Sequence, residues 1–118
     1  MSTYFKPDTA DLVDAGKTQA DLEGCIKAAV ESRAGIKVDG WTAYDGALTA
    51  DGKPAVDSPN NRALSTERCQ AIVRLLVNEM GVPADRITGI TGHGNTDQPN
   101  PDPRSADNRL VVVSYITA

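Results

Sequence analysis

The run Arg109-Leu110-Val111-Val112-Val113-Ser114-Tyr115-Ile116 constrains the fold more than any other stretch of the chain. Its β-branched and aliphatic residues follow one another with almost no polar interruption. That is the pattern of a strand covered on both faces and placed centrally in a sheet. Ile36-Lys37-Val38-Asp39-Gly40-Trp41 alternates with the period of a half-buried strand. Shorter strands are expected at Tyr4-Phe5, closed by Lys6-Pro7-Asp8, and across Ile87, Ile90 and Thr91.

Two helical patterns separate these strands. Leu22, Cys25, Ile26, Ala29 and Val30 share one helix face, with Asp21, Glu23, Lys27 and Glu31 off it, and Gly35 ends the region. Cys69, Ile72, Val73, Leu76 and Met80 recur at helical spacing, with Ser65 as the expected N-cap and Gly81 as the stop. Under that reading Arg68 lies in the first turn, where a guanidinium and free N–H groups together make a ready anion site. The same arginine could instead pair with Glu67, Asp85 or the preceding loop.

The order is β-α-β-α-β-β. Helix-linked strands favour parallel pairs, and the last strand, reached by a loop without a helix, is expected to run antiparallel to its predecessor. The expected architecture is an α/β sandwich: a mixed four-stranded sheet with the two helices packed on one face. Residues 44–61 are turn-rich, with Asp45-Gly46, Asp51-Gly52, Pro54, Pro59 and Asn60-Asn61, and read as a long loop. A second polar loop runs from Gly92 to Asp107.

A chain of 118 residues is long enough for one domain with its own hydrophobic core. A net charge of −4 argues against nucleic acid as a partner, because binding to phosphates draws on clustered cations. The apolar runs are far shorter than the roughly 20 residues of a membrane span, so direct membrane insertion is not expected. Any export signal or membrane-anchoring region is expected upstream. Cys25 and Cys69 fall on the apolar stripes of different helices. They read either as two buried thiols or as one helix-to-helix disulfide, which would imply an oxidising compartment.

Six short motifs, in order along essentially the whole chain, resemble the OmpA-like peptidoglycan-binding domain shared by OmpA C-terminal regions, Pal lipoproteins and MotB. Phe5 followed by a helix resembles the opening strand, and Ile36-Lys37-Val38-Asp39-Gly40-Trp41-Thr42 resembles the second strand and its Gly-His-Thr-Asp turn. Asn61-x-x-Leu64-Ser65-x-x-Arg68-Cys69 resembles the Asn-x-x-Leu-Ser-x-x-Arg-Ala signature. Gly81-Val82-Pro83-Ala84-Asp85-Arg86-Ile87 resembles the Gly-Ile-Pro-Ala-Asp-Lys-Ile connector. Gly92-His93-Gly94 with Pro99, and Asn108-Arg109-Leu110-Val111, resemble the last loop and the closing strand.

The resemblance implies residues 1–118 as a single OmpA-like domain with an expanded loop at about 44–61. It implies a non-enzymatic module that grips the diaminopimelate of a peptidoglycan stem peptide and tethers a larger envelope protein to the wall. The location implied is periplasmic or envelope-associated, outside the cytoplasmic membrane, and no cofactor is implied. The family's signature arginine, which holds the ligand carboxylate, falls on Arg68; its asparagine falls on Asn61, its threonine on Thr42 and its strand arginine on Arg109. The aspartate that holds the ligand ammonium falls on Ala43, and the neighbouring histidine on Trp41. Two expectations follow from that departure. Either the expanded loop returns a carboxylate, with Asp45 nearest and Asp51 or Asp57 behind it, or the grip is lost and the domain is a degenerate structural or protein-interaction module.

The remaining chemistry-bearing residues point nowhere else. His93, between two glycines, lacks the companion ligands of a metal site and reads as a loop residue in the family's aromatic position. Trp41 reads as a packing or pocket-wall residue. No nucleophile–base pair suited to acyl transfer is evident.

Overall fold

The computed structural model describes residues 1–31, 33 and 35–116, with Ile116 as backbone alone. Its elements are β1 (Ser2–Tyr4), α1 (Ala15–Glu31), β2 (Gly35–Gly40), α2 (Pro59–Arg74), β3 (Ile87–Gly92) and β4 (Leu110–Ile116). The sheet order is β1-β4-β2-β3. β4 is central and antiparallel to both neighbours, with Val113 opposite Val38 and Val111 opposite Thr3. β2 and β3 form the one parallel pair, joined by α2.

The expected mixed sheet is therefore present, with two corrections. β4 runs opposite to β3 without pairing to it, because β2 lies between them. The central strand is also covered on one face rather than both. Val111 and Val113 are fully buried, while Val112 and Ser114 on the other face are half-exposed. Its near-continuous apolar run thus overstates its burial. Leu22, Ile26 and Ala29 of α1 and Cys69 and Ile72 of α2 join Ile36, Val38, Val111 and Val113 in one core. Each large aliphatic buried there contributes roughly 1.5–3 kcal/mol. On α1, Cys25 is only half-buried and Val30 is exposed, so neither joins this core.

Each helix starts where a short polar side chain can satisfy its free N–H groups. Asp14 accepts from the Lys17 N–H at 3.0 Å to open α1. Ser58 caps α2 by accepting from the Asn61 N–H at 3.3 Å, with Pro59 as the first helical residue. The expected cap, Ser65, is instead buried inside α2. It donates to the Arg62 carbonyl at 2.8 Å and accepts from the Gly94 N–H at 2.9 Å. Pro59-Asn60-Asn61 resembles a turn in sequence, yet a serine followed by proline is the stronger helix start. The helix continues as a π-helical turn over Leu75–Glu79 and stops at Gly81, whose φ of 70° is left-handed.

α2 approaches the sheet unusually closely at paired glycines. Gly40 faces Gly92 across β2 and β3. A Cβ on Gly40 would lie 2.6 Å from the Cys69 sulfur and 2.7 Å from the Ser65 carbonyl oxygen. One on Gly92 would lie 2.7 Å from the Thr66 backbone nitrogen. These contacts fix the depth at which α2 sits.

Both cysteines are free thiols, so the disulfide alternative is not realised. Burial, reinforced by the nearby Asp39 carboxylate, pushes the Cys69 thiol up to about 12. Two outcomes are expected. Gly40→Val should destabilise the fold by about 1–3 kcal/mol in urea denaturation, because overpacking at a helix–sheet contact forces the backbones apart. Thiol-reactive reagents should modify half-exposed Cys25 in the native protein and reach Cys69 at the rate of unfolding, as followed by mass spectrometry.

Candidate functional site

The ends of β1 and β2, the approach to β4 and the first turns of α2 converge on one side of the sheet. Beyond Gly40 the chain is clamped residue by residue. The Trp41 N–H donates to the Leu110 carbonyl at 2.9 Å, that of Thr42 to Gly94 at 2.8 Å, and that of Tyr44 to Pro103 at 2.8 Å. Gln98 adds a side-chain bond to the Thr42 carbonyl at 2.9 Å. Buried Tyr44 then donates to the Ala47 carbonyl at 2.7 Å, folding the start of the long loop back on itself. Asn61 is held at the helix entrance by its amide bond to the Asn95 side-chain oxygen at 3.1 Å.

Between these segments lies a cleft of about 200 Å³. Thr42, Asp45, Asn61, Arg68 and Arg109, the five residues expected from the sequence, all line it. Asp8, Tyr44, Leu64 and Arg104 contribute the rest of its character. Asp51 is turned into its own loop by a bond from Thr49, and Asp57 pairs with Arg62 at 2.8 Å. Neither lines the cleft. Asp45 is thus the one acid of the three candidates that reaches it.

Arg68 is the buried centre of this arrangement. It lies well inside α2 rather than in its first turn, so free helix N–H groups do not accompany it. Its Nε donates to the Thr9 carbonyl at 2.9 Å, Nη1 to Trp41 at 3.1 Å and Nη2 to Lys6 at 3.1 Å. The guanidinium carbon sits 5.4 Å from the centre of the Phe5 ring. Glu67 and Asp85 do not pair with it. Three bonds leave two of the five guanidinium N–H groups without an acceptor among the described residues.

The electrostatics record the same incompleteness. Burial lowers the Arg68 guanidinium to about 10, the neighbouring Arg109 pushes in the same direction, and Asp8 opposes them. The group remains charged at neutral pH. Arg68 has no measurable exposure, so it forms the floor of the cleft rather than a side chain projecting into it. Thr42 is 2% exposed, and its hydroxyl oxygen has no hydrogen-bond partner. A buried hydroxyl left in this way costs about 1–3 kcal/mol, and a ligand acceptor or donor would relieve it. Arg109, half-buried with Nε 3.3 Å from the Phe5 carbonyl, and the exposed Arg104 are the cleft cations more open to an incoming group than Arg68.

His93 and Trp41 act beside the cleft rather than in it. His93 Nε2 lies 2.9 Å from an Asp39 carboxylate oxygen, and its ring stacks on Trp41 at 4.7 Å and 12°. The His93 N–H donates to the Gly40 carbonyl at 2.8 Å, which braces the end of β2 beside the Thr42–Gly94 bond. Among the described residues no group of His, Cys, Asp or Glu could hold a metal ion. Sequence reasoning missed Asp8 and Arg104. Asp8 carries a local signal, a Pro-Asp turn with φ of 55°, but nothing in its neighbours reveals that it borders a cleft built by residues far along the chain.

The comparisons with known proteins agree with this fold. Similar solved structures include the C-terminal domain of Helicobacter pylori MotB, with a TM-score of 0.71 and 19% identity over 100% of this chain and 85% of that one. The peptidoglycan-associated lipoprotein from Burkholderia pseudomallei gives 0.67 and 22% over 98% and 89%. The cell wall anchor of the T6SS from Pseudomonas aeruginosa gives 0.65 and 22% over 98% and 76%. At these identities the likeness is one of fold. No curated sequence matches the chain significantly. The model of the OmpA family matches residues 4–110, which take in both helices, β2, β3 and every residue of the cleft and end at the first residue of β4, and the chain belongs to that family.

Proposed function

We propose that this chain binds peptidoglycan without covalent chemistry, as one OmpA-like domain with an expanded 44–61 loop, and tethers a larger envelope protein to the wall. The ligand is a stem peptide carrying a diaminopimelate-type residue, seated among Thr42, Asp45, Asn61, Arg68 and Arg109. The observation that carries this reading is a buried guanidinium with no acid partner lying beneath a cleft. Its hydrogen bonds go to carbonyls alone, Asp8 relieves its charge only in part and without bonding to it, and a carboxylate arriving from outside would complete it. Direct contact needs a small displacement of the residues over Arg68, with Arg109 guiding the carboxylate inward. The relatives named as a peptidoglycan-associated lipoprotein and a cell wall anchor support a wall-binding role outside the cytoplasmic membrane. Among the described residues no helix is long and apolar enough to cross a membrane, so attachment to one would fall to another part of the protein.

The alternative is a degenerate module serving as a structural or protein-interaction surface. Ala43 in place of the family's aspartate favours it, because a ligand ammonium left without an anion would be desolvated for no return.

The two readings separate in solution. Under the first, the domain co-sediments with purified sacculi. Diaminopimelate-containing muropeptide at millimolar concentration then shifts backbone amides in residues 41–46, 61–68 and 108–109. Arg109→Gln should weaken binding by roughly 1.5–3 kcal/mol, a tenfold or greater rise in Kd by titration calorimetry. Under the second, sacculi leave the protein in the supernatant and Ala43→Asp gains no affinity.

A further inference from the structure

The cleft holds two acids, Asp8 and Asp45, against three arginines, and either is a candidate for the role of the aspartate missing at Ala43. We propose that Asp8, from the turn after β1, supplies the anion that holds the ligand's ammonium and so decides which stem peptides the domain accepts. This rests on the reading of the cleft as a seat for a zwitterionic stem-peptide residue.

The argument is one of tethering. Arg68 bonds the carbonyls of both Lys6 and Thr9, so the turn containing Asp8 wraps the guanidinium from two sides. The turn is closed by bonds from the Lys6 N–H to the Asp11 carbonyl at 2.9 Å and from the Asp11 N–H to the Thr9 hydroxyl at 3.1 Å. Asp8 sits inside it at φ 55°, a left-handed conformation that aspartate and asparagine tolerate better than most residues. Its carboxylate makes no hydrogen bond or ion pair among the described residues, and is therefore available. Asp8 is also the acid whose field reaches Arg68, which Asp45 does not do. A cation and an anion are thereby held as neighbours, as the carboxylate and ammonium on one carbon of a diamino acid require. Asp45 belongs to the separate turn fastened by Tyr44, and among the described residues no hydrogen bond joins that turn to the guanidinium.

The test compares two synthetic stem tripeptides by calorimetry. One ends in diaminopimelate; the other ends in aminopimelate, which keeps the side-chain carboxylate and lacks the ammonium. The wild-type domain should prefer the first by about tenfold, the size of one well-placed charge pair. Asp8→Asn, which keeps the size and the backbone preference of the residue, should bring the two affinities together. A preference that survives Asp8→Asn, or that is lost in Asp45→Asn instead, overturns the assignment and leaves the seat standing. Equal wild-type affinity for both peptides overturns it as well, since no ammonium is then being read. Failure of the wild-type domain to bind either peptide overturns the proposed function itself, and the role of Asp8 falls with it.

Discussion

Three segments far apart in the sequence meet at the Arg68 guanidinium. The turn after β1 offers it the carbonyls of Lys6 and Thr9, and the exit of β2 offers that of Trp41. A buried cation is costly unless hydrogen bonds compensate it, so these three bonds act as a fastening between α2 and the edge of the sheet. Carbonyl dipoles satisfy geometry without cancelling charge. The arrangement therefore leaves a net positive centre beneath the surface, sharpened by Arg109 and partly relieved by Asp8. Structural support and readiness for an anion arise from the same side chain.

What gives the cleft its fixed dimensions is the close seating of α2. With Gly40 and Gly92 side by side, the helix descends far enough to bring Asn61, Leu64 and Arg68, one helical face, against the exits of the strands. The loop from Gly92 onward then locks the opposite wall through Ser65, Thr42 and Gln98. The stacked His93 and Trp41 rings and the Asp39 contact stiffen this wall from the open side of the sheet. The two acids of the cleft, Asp8 and Asp45, are carried by turns on either side of this fixed frame.

Much of this was legible from periodicity. The alternation of residues 36–41, the helical stripe from Cys69 to Met80 and the apolar run at 110–116 each mark an element that the structure contains. Pairing was less legible, since a loop without a helix predicts strand direction but not which strand becomes the neighbour. The start of α2 was hidden by Pro59-Asn60-Asn61, whose residues suit turns and helix entrances equally well. That misplacement put Arg68 at a helix end and made it look exposed to anions, whereas burial and tertiary carbonyls govern it. The five cleft residues were found through resemblance to a family rather than from spacing alone. Asp8 was out of reach because its place beside the cleft comes from bonds between the flanking carbonyls of Lys6 and Thr9 and the distant Arg68, which no local pattern encodes.

Arginine-selective nitrogen NMR on the Arg68 side chain tests the central claim most directly. Burial and hydrogen bonding slow exchange of its guanidinium protons, so that Nη signals can be followed during a titration with diaminopimelate stem peptide. A carboxylate reaching the two unused N–H groups shifts those resonances and slows their exchange further, in step with peptide binding. Peptide that binds while the Arg68 guanidinium signals stay unmoved would place the ligand elsewhere and contradict the account.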